Sequence, residues 1–191
     1  MNLKLDRLPK NNLETPSYAT EGSAAFDLAA CLSRACVLDK TAQARYCSDG
    51  SISNKFNCTS NGVRALSDND GRILEIGDFS KPVLQIAPGE TILIPTGFKT
   101  EFQAGYVMLL SIRSGTSLDG FSLANGTGII DSDYRGEIFI PIYNRTSSRR
   151  TITNGQRIAQ ACIVPVIRCE IEEKTVDITT RGEGGFGSTG N

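Results

Sequence analysis

Apolar positions in this chain recur at every second residue or in short solid runs, and Gly, Pro and Asn separate the runs. The turn signal Pro88-Gly89-Glu90 leads into Thr91-Ile92-Leu93-Ile94, a buried strand that Pro95-Thr96-Gly97 is expected to end. Phe98 to Phe102 alternates, and Gln103-Ala104-Gly105 turns into the apolar run Tyr106-Val107-Met108-Leu109-Leu110-Ser111-Ile112. Glu137-Ile138-Phe139-Ile140 alternates again, and residues 157–167 are apolar on both faces, as suits a buried strand. Short strands with Gly/Pro/Asn turns at roughly ten-residue spacing predict an all-β sandwich or barrel. No long amphipathic helix pattern interrupts them.

Nearer the start, residues 3–8 read as a short alternating strand, residues 9–20 as a loop containing Pro16, and residues 24–32 as a strand carrying Asp27. The texture changes over residues 37–81, which are rich in turn formers such as Ser48-Asp49-Gly50 and Ser67-Asp68-Asn69-Asp70-Gly71. Only Ile73-Leu74-Glu75-Ile76 hints at a strand there, so the segment reads as a hairpin-rich flap or a partly disordered one. Residues 172–191 are polar and Gly-rich, and are expected to be mobile without a ligand.

The 191 residues suggest one domain with a sizeable core, spanning 1–191. A net charge of −1 provides no long-range field for nucleic acid or an anionic membrane. No apolar run is long enough to span a membrane and no signal-peptide pattern opens the chain, so a soluble cytoplasmic protein is expected. Histidine is absent, which removes Ser-His-Asp and Cys-His catalysis and leaves acid–base work to carboxylates, Tyr, Lys or Cys. Of the 6 cysteines, Cys162 and Cys169 lie in apolar surroundings and read as small buried hydrophobes. Cys31, Cys36, Cys47 and Cys58 cluster in sequence, but their spacings match no structural-zinc pattern.

One stretch has the shape of a chemical site. Gly128-Ile129-Ile130-Asp131-Ser132-Asp133-Tyr134-Arg135-Gly136 reads as a strand, a tight polar corner and the start of a return strand. Such a corner holds a carboxylate rigidly at a sheet rim, as a general base for water requires, although an acidic turn has the same composition. Just before it, Asn125-Gly126 is a hairpin signal. Arg113-Ser114-Gly115 follows an apolar strand and combines a guanidinium, a hydroxyl and a Gly amide, a set suited to phosphate oxygens and equally to an ordinary strand end. Near the end, Gly182-Glu183-Gly184-Gly185-Phe186-Gly187 matches G-x-G-x-x-G in form only, because no strand–helix unit surrounds it.

Together with Gly22-Ser23-Ala24-Ala25-Phe26-Asp27-Leu28, Gly155-Gln156-Arg157-Ile158-Ala159-Gln160 and the tail from Arg181 to Ser188, these stretches resemble, in order, the five motifs of the trimeric dUTPase family. The resemblance covers about residues 1–35 and 82–191, and it makes residues 37–81 an insertion between the first and second motifs. It implies an all-β, jelly-roll-like β-barrel or sandwich, assembled as a homotrimer with shared active sites and a flexible Gly-rich C-terminal tail. The implied reaction is dUTP + water → dUMP + diphosphate, with Mg²⁺ as cofactor.

By the same resemblance, Asp131 orients and deprotonates a water that attacks the α-phosphorus, and Tyr134 packs on the deoxyribose. Asp133 is structural, with Arg135 as its expected ion partner. Asn125, Gly128, Ile129 and Ile130 read uracil. Ser114 and Gly115 contact phosphate, while Arg113 in that motif is more structural than ligating. Asp27 and Gln160 act on the phosphate–Mg²⁺ cluster through metal-bound water. Arg181 clamps the γ-phosphate, and Phe186 with Gly187 closes a lid over the base. The family's first motif carries Gly two residues before its Asp, and this chain has Ala25 there. Two rivals share the scaffold. A dCTP deaminase needs a glutamate where this chain has Pro141, and a regulatory protein would dock a partner through residues 37–81.

Overall fold

The computed structural model describes residues 2–9, 11–32 and 83–185, together with the backbone of 36–38 and 45–47. Its strands are β1 (Lys4–Arg7), β2 (Phe26–Ala29), β3 (Cys36–Leu38), β4 (Arg45–Cys47), β5 (Val83–Ile86), β6 (Thr91–Glu101), β7 (Tyr106–Ile112), β8 (Phe121–Leu123), β9 (Gly128–Asp131), β10 (Glu137–Asn144), β11 (Arg150–Thr153) and β12 (Arg157–Pro165). One short helix, α1 (Ser114–Leu118), follows β7. The order β1-β6-β10-β8 makes one four-stranded sheet and β2-β12-β7-β9 the other, with the pairs β11-β5 and β3-β4 beside them. The pairing is antiparallel throughout.

The alternation along each strand decides which face is buried. On β10, Ile138, Ile140 and Ile142 are fully buried while Glu137, Phe139, Pro141 and Tyr143 between them are half-buried. Phe26 and Leu28 of β2, Met108 and Leu110 of β7, and Ile92 and Ile94 of β6 join those isoleucines in one core. Each such side chain contributes about 1.5–3 kcal/mol by leaving water. Ile140→Ala is expected to destabilise the fold by about 2–5 kcal/mol through lost burial and an unfilled cavity, measured as a lower unfolding midpoint in denaturant. At the outer edge Lys4 bonds Glu101 at 2.6 Å. That hydrogen bond and the ammonium charge hold the Glu101 carboxyl below its ordinary value. Such an exposed pair adds little stability.

Three sequence expectations need correction. The strand beginning at Thr91 does not stop at Pro95-Thr96-Gly97 but runs on to Glu101. The breaker residues form a bulge: the β6–β10 register shifts between Glu137 and Phe139, and Gly97 there takes φ +76°. Strand β12 ends at Pro165, and it is buried on one face only. Gln160, Cys162 and Val164 are half-buried, and Ile167 beyond the strand is 93 % exposed. Of the two cysteines expected inside, Cys162 is half-buried and Cys169 exposed, because the chain has left the sheet by residue 166.

At the start of the expected insertion, β3 and β4 pair antiparallel with Cys36 opposite Cys47. Cys58, the strand suggested at Ile73 to Ile76 and the rest of residues 48–82 lie outside the described residues. Among the described residues no helix is long and apolar enough to cross a membrane.

Candidate active site

Pairing registers place the candidate polar residues on one face of the β2-β12-β7-β9 sheet. Asp27 stands opposite Gln160, and Gln160 opposite Ser111. Farther along the same strands, Val164 stands opposite Val107, and Val107 opposite Asp131. Residues paired across strands share a face, as do residues two or four apart on one strand. All these side chains therefore emerge from the side away from the core. Between the two rows lies an apolar row, Cys162, Leu109 and Ile129, of which Ile129 is 67 % exposed. From Ser111 to Val107 is four strand steps, so the Asp27 row and the Asp131 row are about 13 Å apart.

The Asp131 end is a built corner. Strand β9 stops at Asp131, whose carbonyl accepts the Tyr134 backbone N–H at 3.1 Å. The Tyr134 hydroxyl donates to the Glu137 carbonyl at 3.0 Å. Arg135 donates through Nη1 to the carbonyls of Ser132 and Tyr134, at 2.8 and 3.2 Å. No ion pair joins it to Asp133 among the described residues, so the expected Asp133–Arg135 pair is replaced by a guanidinium tying the turn's backbone. Asn125 and Gly126 form a turn, with Gly126 at φ +69°, but not the expected hairpin: β8 pairs with β10 and β9 with β7, so the turn carries the chain from one sheet to the other. Beside the corner is a cavity of about 270 Å³ whose lining includes Asn125, Gly128, Ile130, Asp131, Tyr134 and Pro141. The Asp131 carboxylate is exposed to it, and Ile129 also lines it.

The other end is an arginine-bound carboxylate. Asp27 accepts from Arg113 Nε at 2.8 Å on one oxygen and from Arg157 Nη1 at 3.0 Å on the other. Arg113 further reaches the Arg157 carbonyl at 3.4 Å. Its guanidinium is thus fixed to β2 and β12. Ser114 and Gly115, at the start of α1, are exposed. A second cavity, of about 480 Å³, opens between the loop from Asn12 to Ala19 and Asp27 with Arg157. Among the described residues no three His, Cys, Asp or Glu side chains gather as a metal cage.

A family model described as dUTPase matches residues 80–190. A deoxyuridine 5′-triphosphate nucleotidohydrolase of Hahella chejuensis is 35 % identical over 189 residues, 97 % of this chain and 93 % of that protein. The chain belongs to the dUTPase family. A protein of the same description from Nautilia profundicola is 46 % identical over 107 residues, 55 % of this chain and 75 % of that one. The Hahella match thus runs across the stretch taken as an insertion as well. Among solved structures, the Staphylococcus bacteriophage 80alpha dUTPase with dUpNHpp superposes with a TM-score of 0.62 at 21 % identity, over 100 % of this chain and 99 % of that one. That likeness supports the all-β fold.

One chain brings the candidate residues together in two separate groups. The corner brings together Asn125, Gly128, Ile129, Ile130, Asp131 and Tyr134, and the sheet's other end brings together Asp27, Arg113 and Gln160 with Ser114 and Gly115 close by. Arg181 lines neither cavity; its Nε donates to the Gly184 carbonyl at 2.9 Å in a turn of the exposed tail. Phe186 and Gly187 lie outside the described residues. Two contributors escaped the sequence reading. Arg157 stood out only as a member of its motif because its partner lies 130 residues away, and Glu137 read as an ordinary strand residue although its carboxylate accepts the Gly97 N–H at 2.8 Å.

Proposed function

We propose that this chain is a dUTP diphosphatase that cleaves dUTP into dUMP and diphosphate, with Asp131 as the base. The observation that carries this reading is an exposed carboxylate on a backbone-fixed corner, beside a cavity that also holds Asn125, Ile130 and Tyr134. A base must be fixed within reach of the water whose proton it takes. On this reading the Asp131 carboxylate accepts the proton as the water oxygen attacks the α-phosphorus, and diphosphate leaves on the opposite side. Asn125 and the backbone of residues 128–130 hold uracil. A slot built of fixed donors and acceptors rejects a base with a mismatched edge strongly, because buried polar groups are then left unpaired. The Tyr134 ring covers the sugar and leaves no room for a 2′-hydroxyl.

Ser114 and Gly115 hold phosphate oxygens, with Arg113 oriented behind them by Asp27. Mg²⁺ bound to the triphosphate would neutralise charge developing on it. The donor set fits an ion of that kind. Mg²⁺ keeps several waters and binds largely through phosphate oxygens, so Asp27 and Gln160, adjacent in register, need only accept from its waters. The two partial sites, about 13 Å apart on one face, fit a homotrimer in which the corner of one subunit meets the phosphate-holding set of the next. Exposed Ile129, Leu118, Ile167, Ile171, Val176 and Ile178 offer apolar surface for those contacts. Arg181, Phe186 and Gly187 would then arrive on a neighbour's tail. On this reading the enzyme acts on a cytoplasmic nucleotide pool.

The test is turnover of dUTP, dCTP, dTTP and UTP with and without Mg²⁺. Selective, Mg²⁺-dependent release of diphosphate from dUTP is expected. Ammonia release from dCTP would overturn the reading in favour of a deaminase, against which Pro141 stands in the cavity wall. Tyr134→Ala is expected to lower the dUTP:UTP ratio of kcat/KM at least about tenfold, by making room for the 2′-hydroxyl. An unchanged ratio would show that something other than this ring excludes ribose.

A further inference from the structure

We propose that Glu137 is a positioning residue for sugar selection, joining the β6 bulge to the Tyr134 ring. The proposal rests on the reading of Tyr134 given above. In a regular antiparallel strand the N–H and C=O of one residue face the same neighbour, and the Gly97 carbonyl faces the β1 side, where it accepts the Leu8 N–H. Here Glu137 pairs with Lys99 and Phe139 with Pro95, so β6 spends two more residues than β10 across this step. Gly97 is turned to φ +76°, and its N–H is met by the Glu137 carboxylate through Oε1 at 2.8 Å. The carboxylate thus holds an N–H that the bulge turns toward β10.

The opposite side of the bulge is held as firmly. The Gly97 carbonyl accepts from Asn11 Nδ2 at 3.0 Å and from the Leu8 N–H at 2.9 Å, and Asn11 is only 7 % exposed. Thr96 Oγ1 donates to the Ile138 carbonyl at 2.9 Å. No side chain fits at position 97, since a Cβ there would lie 2.4 Å from Asn11 Nδ2. The bulge is therefore a rigid anchor, and Glu137 is attached to it by its side chain.

The main chain of Glu137 faces the site. Its carbonyl accepts the Tyr134 hydroxyl at 3.0 Å, which folds the ring back over Gly136. A Cβ at Gly136 would come within 2.2 Å of that hydroxyl oxygen and 2.4 Å of Cζ, so the ring lies directly on the glycine. Tyr134 in turn donates its N–H to Asp131. One residue thus carries the geometry of the anchor, through its carboxylate, to the ring, through its carbonyl. With the carboxylate gone, the Gly97 N–H loses this acceptor and the Glu137 peptide loses its side-chain tie to the bulge. The Tyr134 hydroxyl then loses a fixed partner, and the ring loses its fixed position.

The test compares Glu137→Ala, Glu137→Gln, Tyr134→Phe and the double variant Glu137→Ala/Tyr134→Phe, with kcat and KM for dUTP and UTP and Tm for each. Glu137→Ala is expected to lower the dUTP:UTP ratio of kcat/KM by about tenfold. Glu137→Gln keeps an oxygen acceptor and should restore the ratio. Tyr134→Phe keeps the ring and loses the hydroxyl, so it should lower the ratio as Glu137→Ala does. The double variant should be no worse than the lower single one, because both remove the same link. An unchanged ratio in Glu137→Ala with a lowered Tm, or additive losses in the double variant, would overturn the proposal and leave Glu137 as a strand brace. Should Glu137→Ala not fold, an unchanged ratio in Tyr134→Phe overturns it equally. Absence of dUTP turnover in the unaltered chain would instead sink the underlying reading of the site.

Discussion

Asp131→Asn is expected to abolish dUTP hydrolysis while the protein still folds and still binds dUTP. Asparagine has the volume of aspartate, so strand β9, its pairing to β7 and the Tyr134 N–H bond to the residue 131 carbonyl are all retained. What is lost is a basic oxygen, and an amide does not accept the proton of the attacking water. General-base assistance contributes about 10²–10⁴ in rate, so turnover should fall by at least that factor. The side chain is exposed and makes no ion pair among the described residues, hence Tm should barely move. Single-turnover kinetics, nucleotide titration and thermal unfolding together check the three statements. Turnover within tenfold of the unaltered protein would remove Asp131 from the role of base.

Removal of the tail from Thr180 is expected to cost nearly all activity and almost no stability. Residues 166–183 are exposed and lie outside every strand and helix. Near the cut, the bonds are short-range: Gly182 N–H to the Thr179 carbonyl at 3.0 Å, Gly184 N–H to Arg181 at 3.1 Å and Arg181 Nε to Gly184 at 2.9 Å. A segment with so few buried contacts adds little to the folded state. Its proposed contribution arises with ligand bound, when Arg181 clamps phosphate and Phe186 covers the base. Such contacts strengthen toward the transition state, so kcat should fall by more than KM rises. If the site is shared between subunits, co-expressing the truncated chain with Asp131→Asn should restore part of the activity that each lacks alone. A truncated protein with normal turnover would end the lid reading, and a mixture with no recovery would end the shared site.

Much of this protein is legible in residue order. Alternation located β10 and the second half of β6, and solid apolar runs located β7, β12 and the first half of β6, because both patterns follow from strand geometry whichever strand lies next door. The corner at Asp131, the turn at Asn125-Gly126 and the motif at Arg113 are likewise local, each spelled by neighbouring residues, but that the turn joins two sheets and is no hairpin is not spelled there. Cys169 was misjudged because its apolar surroundings in sequence are not its surroundings in space: Ile167 and Ile171 beside it are 93 % and 97 % exposed.

What tertiary structure alone decided are relations between distant segments. Pro95-Thr96-Gly97 reads as a strand end, since breakers spell a turn and a bulge alike. Only β10 alongside, with the Glu137 carboxylate 40 positions away taking the Gly97 N–H, makes it a bulge inside a continuing strand. Asp27 alone is an unremarkable strand aspartate, a candidate only through the resemblance. Its two arginines come from β12 and from the end of β7, and strand order places them there. The separation of Asp131 from the Asp27 row is a matter of register on β7. Periodicity assigns a residue to a face. Its height along the strand and its neighbour across the sheet are set by which strands pair and where they bulge, and no local pattern encodes those.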